Sequence, residues 1–185
     1  MTIHDIGCET PKLALLCFGT GMLLSLAPPP PLIAPQITCP TEITQLVPLL
    51  LRDLPSYANR VIVRNQSQAQ LPHLPNVIAA GKAEYQPLPV IAERSMADPN
   101  LQQLFFTTLE HRRIHDQIIA QQQYHWFLLV PTTTGWQIAL SYTRTGFYPQ
   151  ADRPITPPRD SSQGIIAQAV RLWLRDCHAG AIRSP

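Results

Sequence analysis

Two apolar runs near the middle of the chain, Tyr124–Val130 and Trp136–Thr143, are separated only by Pro131-Thr132-Thr133-Thr134-Gly135. Short β-branched and aromatic runs joined by a proline-to-glycine turn read as an antiparallel hairpin. The first run is apolar at consecutive positions, as in a strand buried on both faces. The second alternates, which predicts Trp136, Ile138, Leu140 and Tyr142 on a single face. With this hairpin in place, every other segment must either pair with it or cover it.

Leu104–Arg113 has Leu104, Phe105 and Leu109 at spacings a helix would accept, but Phe106-Thr107-Thr108 and the lack of alanine favour a strand. Val61–Val63 and Val77–Ala80 read as further strands, the latter extending towards Tyr85. Leu88–Val90 is held extended by its flanking prolines, and Asp98-Pro99-Asn100 marks a turn or a helix start. The covering elements lie at the two ends. Ile43, Leu46, Val47, Leu50, Leu51 and Leu54 recur at helical spacing behind Thr41 as N-cap, with Pro48 expected to kink the helix or divide it into two short pieces. Near the C-terminus, Ile165, Ile166, Ala169, Val170, Trp173, Leu174 and Cys177 form an unbroken stripe. Asp160-Ser161-Ser162 is expected to cap that helix and Ala179-Gly180 to end it. The predicted fold class is α+β: an antiparallel β-meander with an N-terminal and a C-terminal helix packed on one face.

Ahead of this domain, Leu13–Ala27 runs fifteen positions without a charge and stops at Pro28-Pro29-Pro30-Pro31. The length suits a signal-peptide core better than a full span of about 20 residues. Ser25-Leu26-Ala27 has the small-x-small form of a cleavage site, but Pro28 follows it, so an uncleaved short anchor competes with a cleaved leader. Residues 1–34 are thus expected to be an apolar leader with a proline-rich linker, and residues 35–185 a single domain, placed at a membrane or exported.

Charge excludes one class of partner. A net charge of +2 is small, and the twelve arginines are scattered, with only Arg112 and Arg113 adjacent, so no phosphate-tracking surface is expected. Charged residues make up only 14%, and twenty prolines against eight glycines imply stiff connections.

Catalytic motifs are missing from the sequence: there is no Gly-x-Ser-x-Gly, and Gly19-Thr20-Gly21 lies inside the apolar leader. Glu110, His111, His115 and Asp116 are the one metal-like group, since histidines at i and i+4 share a helical face. That geometry fails if Ile114–Gln117 is a turn between strands. Cys177 and His178 would diverge by about 100° on a helix, so they are not a nucleophile and its base. Tyr124, His125, Trp126, Trp136 and Tyr142 are explained by cross-strand packing, with a small-ligand platform as the sharper alternative.

The strings Gly135–Leu140, Arg159–Gly164 and Arg171–Cys177 resemble uncharacterised conserved proteins of cyanobacterial type. The resemblance covers the C-terminal half and implies no activity or cofactor. It implies periplasm or thylakoid lumen as the compartment beyond the membrane.

Cys8 and Cys17 fall before or within the leader, which leaves Cys39 and Cys177 as an even pair in an exported domain, the setting for a disulfide. A buried reduced thiol at Cys177 is the competing expectation. The function expected from these features is non-enzymatic: binding or helping to assemble a protein partner at a membrane, with no cofactor. The alternatives are an exported metal-dependent hydrolase using Glu110, His111 and His115, or a small-ligand-binding module.

Overall fold

The computed structural model describes residues 38–69, 75–85, 100–114, 117–146 and 156–183. All belong to the compact unit Ala34–Pro185. The elements are α1 (Ile43–Ala69), β1 (Asn76–Glu84), β2 (Gln102–Ile114), β3 (Gln117–Thr132), β4 (Gly135–Thr145), β5 (Arg159–Asp160) and α2 (Ile165–His178). The strands form one antiparallel sheet in the order β1-β2-β3-β4-β5, and the two helices pack together and against it, as the α+β reading predicts. Leu13–Ala27, Leu88–Val90, His115 and Asp116 lie outside the described residues. No described helix is long and apolar enough to cross a membrane.

Helix α1 corrects three expectations: a division at Pro48, a strand at Val61–Val63 and Thr41 as N-cap. It is one continuous helix of 27 residues, with Pro48 and Pro55 inside it. Pro48 is exposed, so the carbonyl it leaves unpaired belongs to Thr44 on the watered flank, while the buried stripe keeps the helix in register. Val61-Ile62-Val63 is not a strand. Leu54, Ala58, Val61 and Ile62 continue the helical spacing of Leu46, Val47, Leu50 and Leu51, and all are buried. Val63 falls off that stripe and is 62% exposed. The helix also starts two residues after Thr41: the Glu42 carbonyl accepts the first amides, from Gln45 and Leu46.

The long strands β2 and β3 pair in unbroken register from Gln102↔Leu129 to Ile114↔Gln117. Leu104, Phe106, Phe127 and Leu129 therefore share the face beneath the helices, joined by Val77 from β1. β4 corrects the alternation. Leu128 pairs with Leu140 but Leu129 with Ile138, a β-bulge that leaves Ala139 unpaired. Ile138 stays on the helix side, whereas Leu140 and Tyr142 are switched to the other face, opposite Leu128 and Trp126. The turn is tighter than the five-residue span expected, because β3 continues through Pro131-Thr132 and only Thr133-Thr134 connects the strands.

Side chains fasten the layers. The Asn59 amide brackets the Val77 backbone, donating to its carbonyl at 2.8 Å and accepting its N–H at 2.9 Å. Trp173, fully buried, donates its indole N–H to Asp53 at 2.9 Å, and Arg52 holds the same carboxylate. A disulfide joins Cys39, just ahead of α1, to Cys177 in the last turn of α2, with Cα atoms 5.1 Å apart. Helix α2 ends in a Schellman motif at Gly180, whose φ is 69°. Its start is not capped by Asp160-Ser161-Ser162; Gly164 is the N-cap and makes no side-chain cap bond. The two serines instead bond to β4.

Candidate functional site

The sequence-derived metal group is split by strand alternation. Glu110 and His111 are neighbours in β2, so their side chains leave opposite faces. Glu110 is buried on the helix side opposite Gln121, and His111 is exposed on the other. Among the described residues no cluster of three His, Cys, Asp or Glu could hold a metal.

Glu110 instead ends a buried polar row. Thr108 lies 2.9 Å from Nε2 of His125, and Thr143 lies 2.9 Å from Nδ1. Thr143 donates to Ser161 at 2.8 Å, and Ser161 lies 3.2 Å from the Ser141 hydroxyl. A neutral imidazole, with one donor and one acceptor nitrogen, is fully satisfied between the two threonines. Burial pushes the His125 pKa down to about 3, so the ring is held neutral. Burial also pushes the Glu110 carboxyl up, against the opposing pull of Arg112 and a hydrogen bond with Thr108. His125 and Ser141 are fully buried, while Thr143 and Ser161 at the β5 end are half-buried; within the core the row satisfies polar groups beneath the helices.

Phe105, Tyr124, Trp126 and Tyr142 occupy the opposite face, and Trp136 the helix side. Phe105 packs on Trp126 at 5.3 Å and on Tyr124 at 6.3 Å, with Tyr142 opposite Trp126 across β3 and β4. His125 is not among them; it faces Phe106 on the helix side. Of the aromatics proposed to line a ligand platform, Trp136 borders a concavity.

That concavity lies between β4 and α2 and has a volume of about 410 Å³. Thr134, Trp136, Gln137 and Ile138 form one wall, and Arg171, Leu174, Arg175 and His178 the other. Arg171, Leu174, Arg175 and His178 stand at i, i+3, i+4 and i+7 of α2, one helical face beside the buried stripe that carries two guanidinium groups. Trp136 is fixed by an indole N–H bond to the Pro40 carbonyl at 3.2 Å. Gly135, at φ 96°, lets the hairpin approach α2: a Cβ there would stand 3.1 Å from His178 Nδ1. A second concavity of about 320 Å³ adjoins the first, sharing Arg171 and Arg175 and adding Arg64. Among the described residues no carboxylate lines either one. Arg175 is bonded to Asp176, which also accepts the Tyr57 hydroxyl, while Arg171 is in no ion pair among the described residues.

The β4 wall is also a sheet edge. β5 pairs only with Tyr142 and Thr143, and Ser161 and Ser162 bond the backbone of Ser141. From Gln137 to Leu140 the backbone has no partner beyond β3 among the described residues. Sequence reasoning missed this site. Arg171-x-x-Leu174-Arg175-x-x-His178 was visible as a helical row, but nothing local showed that an open strand would lie against it. Compared with known proteins, the chain matches no family model, no curated protein and no solved structure.

Proposed function

We propose that the chain is a non-enzymatic binding domain, exported or held at a membrane, that docks a protein partner in the groove between β4 and α2. The observation that carries this reading is the coincidence, among the described residues, of an unpaired strand edge with Arg171, which is in no ion pair there, and the exposed Arg175 one turn further on. The Cys39–Cys177 disulfide is consistent with an oxidising compartment, and Leu13–Ala27 supplies the apolar segment for reaching one. Glu110 and His111 leave opposite faces of β2, which parts two of the three residues on which the hydrolase alternative rests.

Site-directed photocrosslinking of the full-length chain, in the cells that produce it, tests the reading. A crosslinker at Gln137, in the groove, should give one discrete adduct. A crosslinker at Ile118, 64% exposed at the far end of β3, should not. The same adducts from both positions, or none from Gln137, would reject the groove as a docking site.

A further inference from the structure

We infer that the groove takes an extended acidic peptide segment, which adds as a strand to the free edge of β4 and sets its carboxylates against Arg171 and Arg175; this rests on the partner-binding reading above. The edge backbone of Gln137–Leu140 presents both N–H and C=O groups. A phosphate group, in a nucleic acid or a lipid, offers acceptors for the amides but no donor for the carbonyls, and the hydroxyl, amino or base donors elsewhere in such ligands do not alternate with acceptors at the repeat of a strand. Only another peptide backbone answers both, which is the physical basis of strand addition.

Spacing supports the same occupant. Helix α2 starts beside the Ser141 end of β4 and finishes at Gly135, so the two walls run antiparallel. Alternate residues of a strand are about 6.6 Å apart, and Arg171 and Arg175 are separated by about 6 Å of helix rise. A peptide lying along β4 therefore brings every second side chain to successive cations, and its remaining side chains point to the other face. Trp136, Ile138 and Leu174 give the groove an apolar floor that suits residues with a hydrocarbon stem. With Arg171 and Arg175 on one wall and no carboxylate lining the groove among the described residues, an acidic segment is the complementary one and a basic segment is repelled.

The test is a fluorescence titration of the full-length, oxidised chain with a short peptide alternating glutamate and valine. Binding should weaken at least about tenfold when lysine replaces glutamate, and by a similar factor for Arg171→Glu. It should also weaken when alternate peptide nitrogens are methylated, a change that leaves the charge and the protein untouched but removes the strand-pairing donors. Equal binding of the methylated or the lysine peptide would overturn the inference. So would binding of a single-stranded oligonucleotide or of phosphatidylglycerol vesicles without binding of the peptide. Each of these failures leaves the Gln137 crosslink standing, so the loss of this inference is distinguishable from the loss of the docking site itself.

Discussion

At the scale of single residues, identity alone did not decide role; the face did. Glu110 and His111 look like a ligand pair in one dimension, yet a period of two sends one into the core and the other into water. His125, read from sequence as one of a set of aromatics, is the buried centre of the polar row. Its folded pKa of about 3 lies below its unfolded value of about 6.5, so the unfolded chain takes up the proton first as pH falls. The stability it contributes is complete above pH 6.5 and erodes from there down towards pH 3, at up to about 1.4 kcal/mol per pH unit. Glu110 works in the opposite sense, since its raised pKa favours the folded state at low pH and the benefit is lost as pH rises. His125→Gln should therefore flatten the loss of stability between pH 6.5 and 4.5, by about 2 kcal/mol in urea titrations at the two pH values. Parallel curves for mutant and parent would show that the ring titrates normally. Trp173→Ala should cost about 3–5 kcal/mol in the same assay, because the side chain is fully buried and its N–H holds Asp53. A loss below about 1 kcal/mol would contradict that burial.

At the scale of elements, long periodic patterns outweighed short ones. The β-branched triplet Val61-Ile62-Val63 has strand propensity, but five turns of apolar stripe already commit the segment to helix. The two readings make opposite demands on these residues. In a strand Val61 and Val63 would share a face; in α1, Val61 and Ile62 are buried and Val63 is not. Ile62→Ala should thus cost about 2–4 kcal/mol, and Val63→Lys should stay within about 0.5 kcal/mol, measured by chemical denaturation. β4 shows the converse limit. Its alternation was read from the sequence without a break, and the bulge at Ala139 reverses the faces of everything beyond it. No residue in Trp136–Thr143 marks the bulge locally; it follows from fitting β4 to both Leu129 and Leu128 of β3.

At the scale of the whole molecule, the disulfide and the groove are one construction. Cys39 is followed by Pro40, whose carbonyl anchors Trp136, and Cys177 is followed by His178, which abuts Gly135. The bridge closes a loop of 138 residues, for which chain entropy gives an upper stabilisation of about 5 kcal/mol. Mass spectrometry of the unreduced protein should find Cys39 and Cys177 closed to alkylation. Reduction should lower the Tm and weaken peptide binding in the groove together, because both of its walls lose an anchor. Two freely alkylated thiols, or binding unchanged by reduction, would separate the bridge from the site.

The sequence by itself determined the α+β class, the hairpin and the stripe of α2; it favoured a strand over Leu104–Arg113 and offered Cys39 and Cys177 as an even pair, but left a reduced Cys177 open until the structure showed the bridge. Each depends on short-range periodicity, or on a choice with few members, and needs no knowledge of distant neighbours. Tertiary structure alone decided which strand would be left at an edge, where β4 would bulge, and which helical row would face that edge. These are properties of pairs of elements far apart in the chain: Gln137 and Arg171 meet only because β5 stops after two residues and α2 folds back along β4.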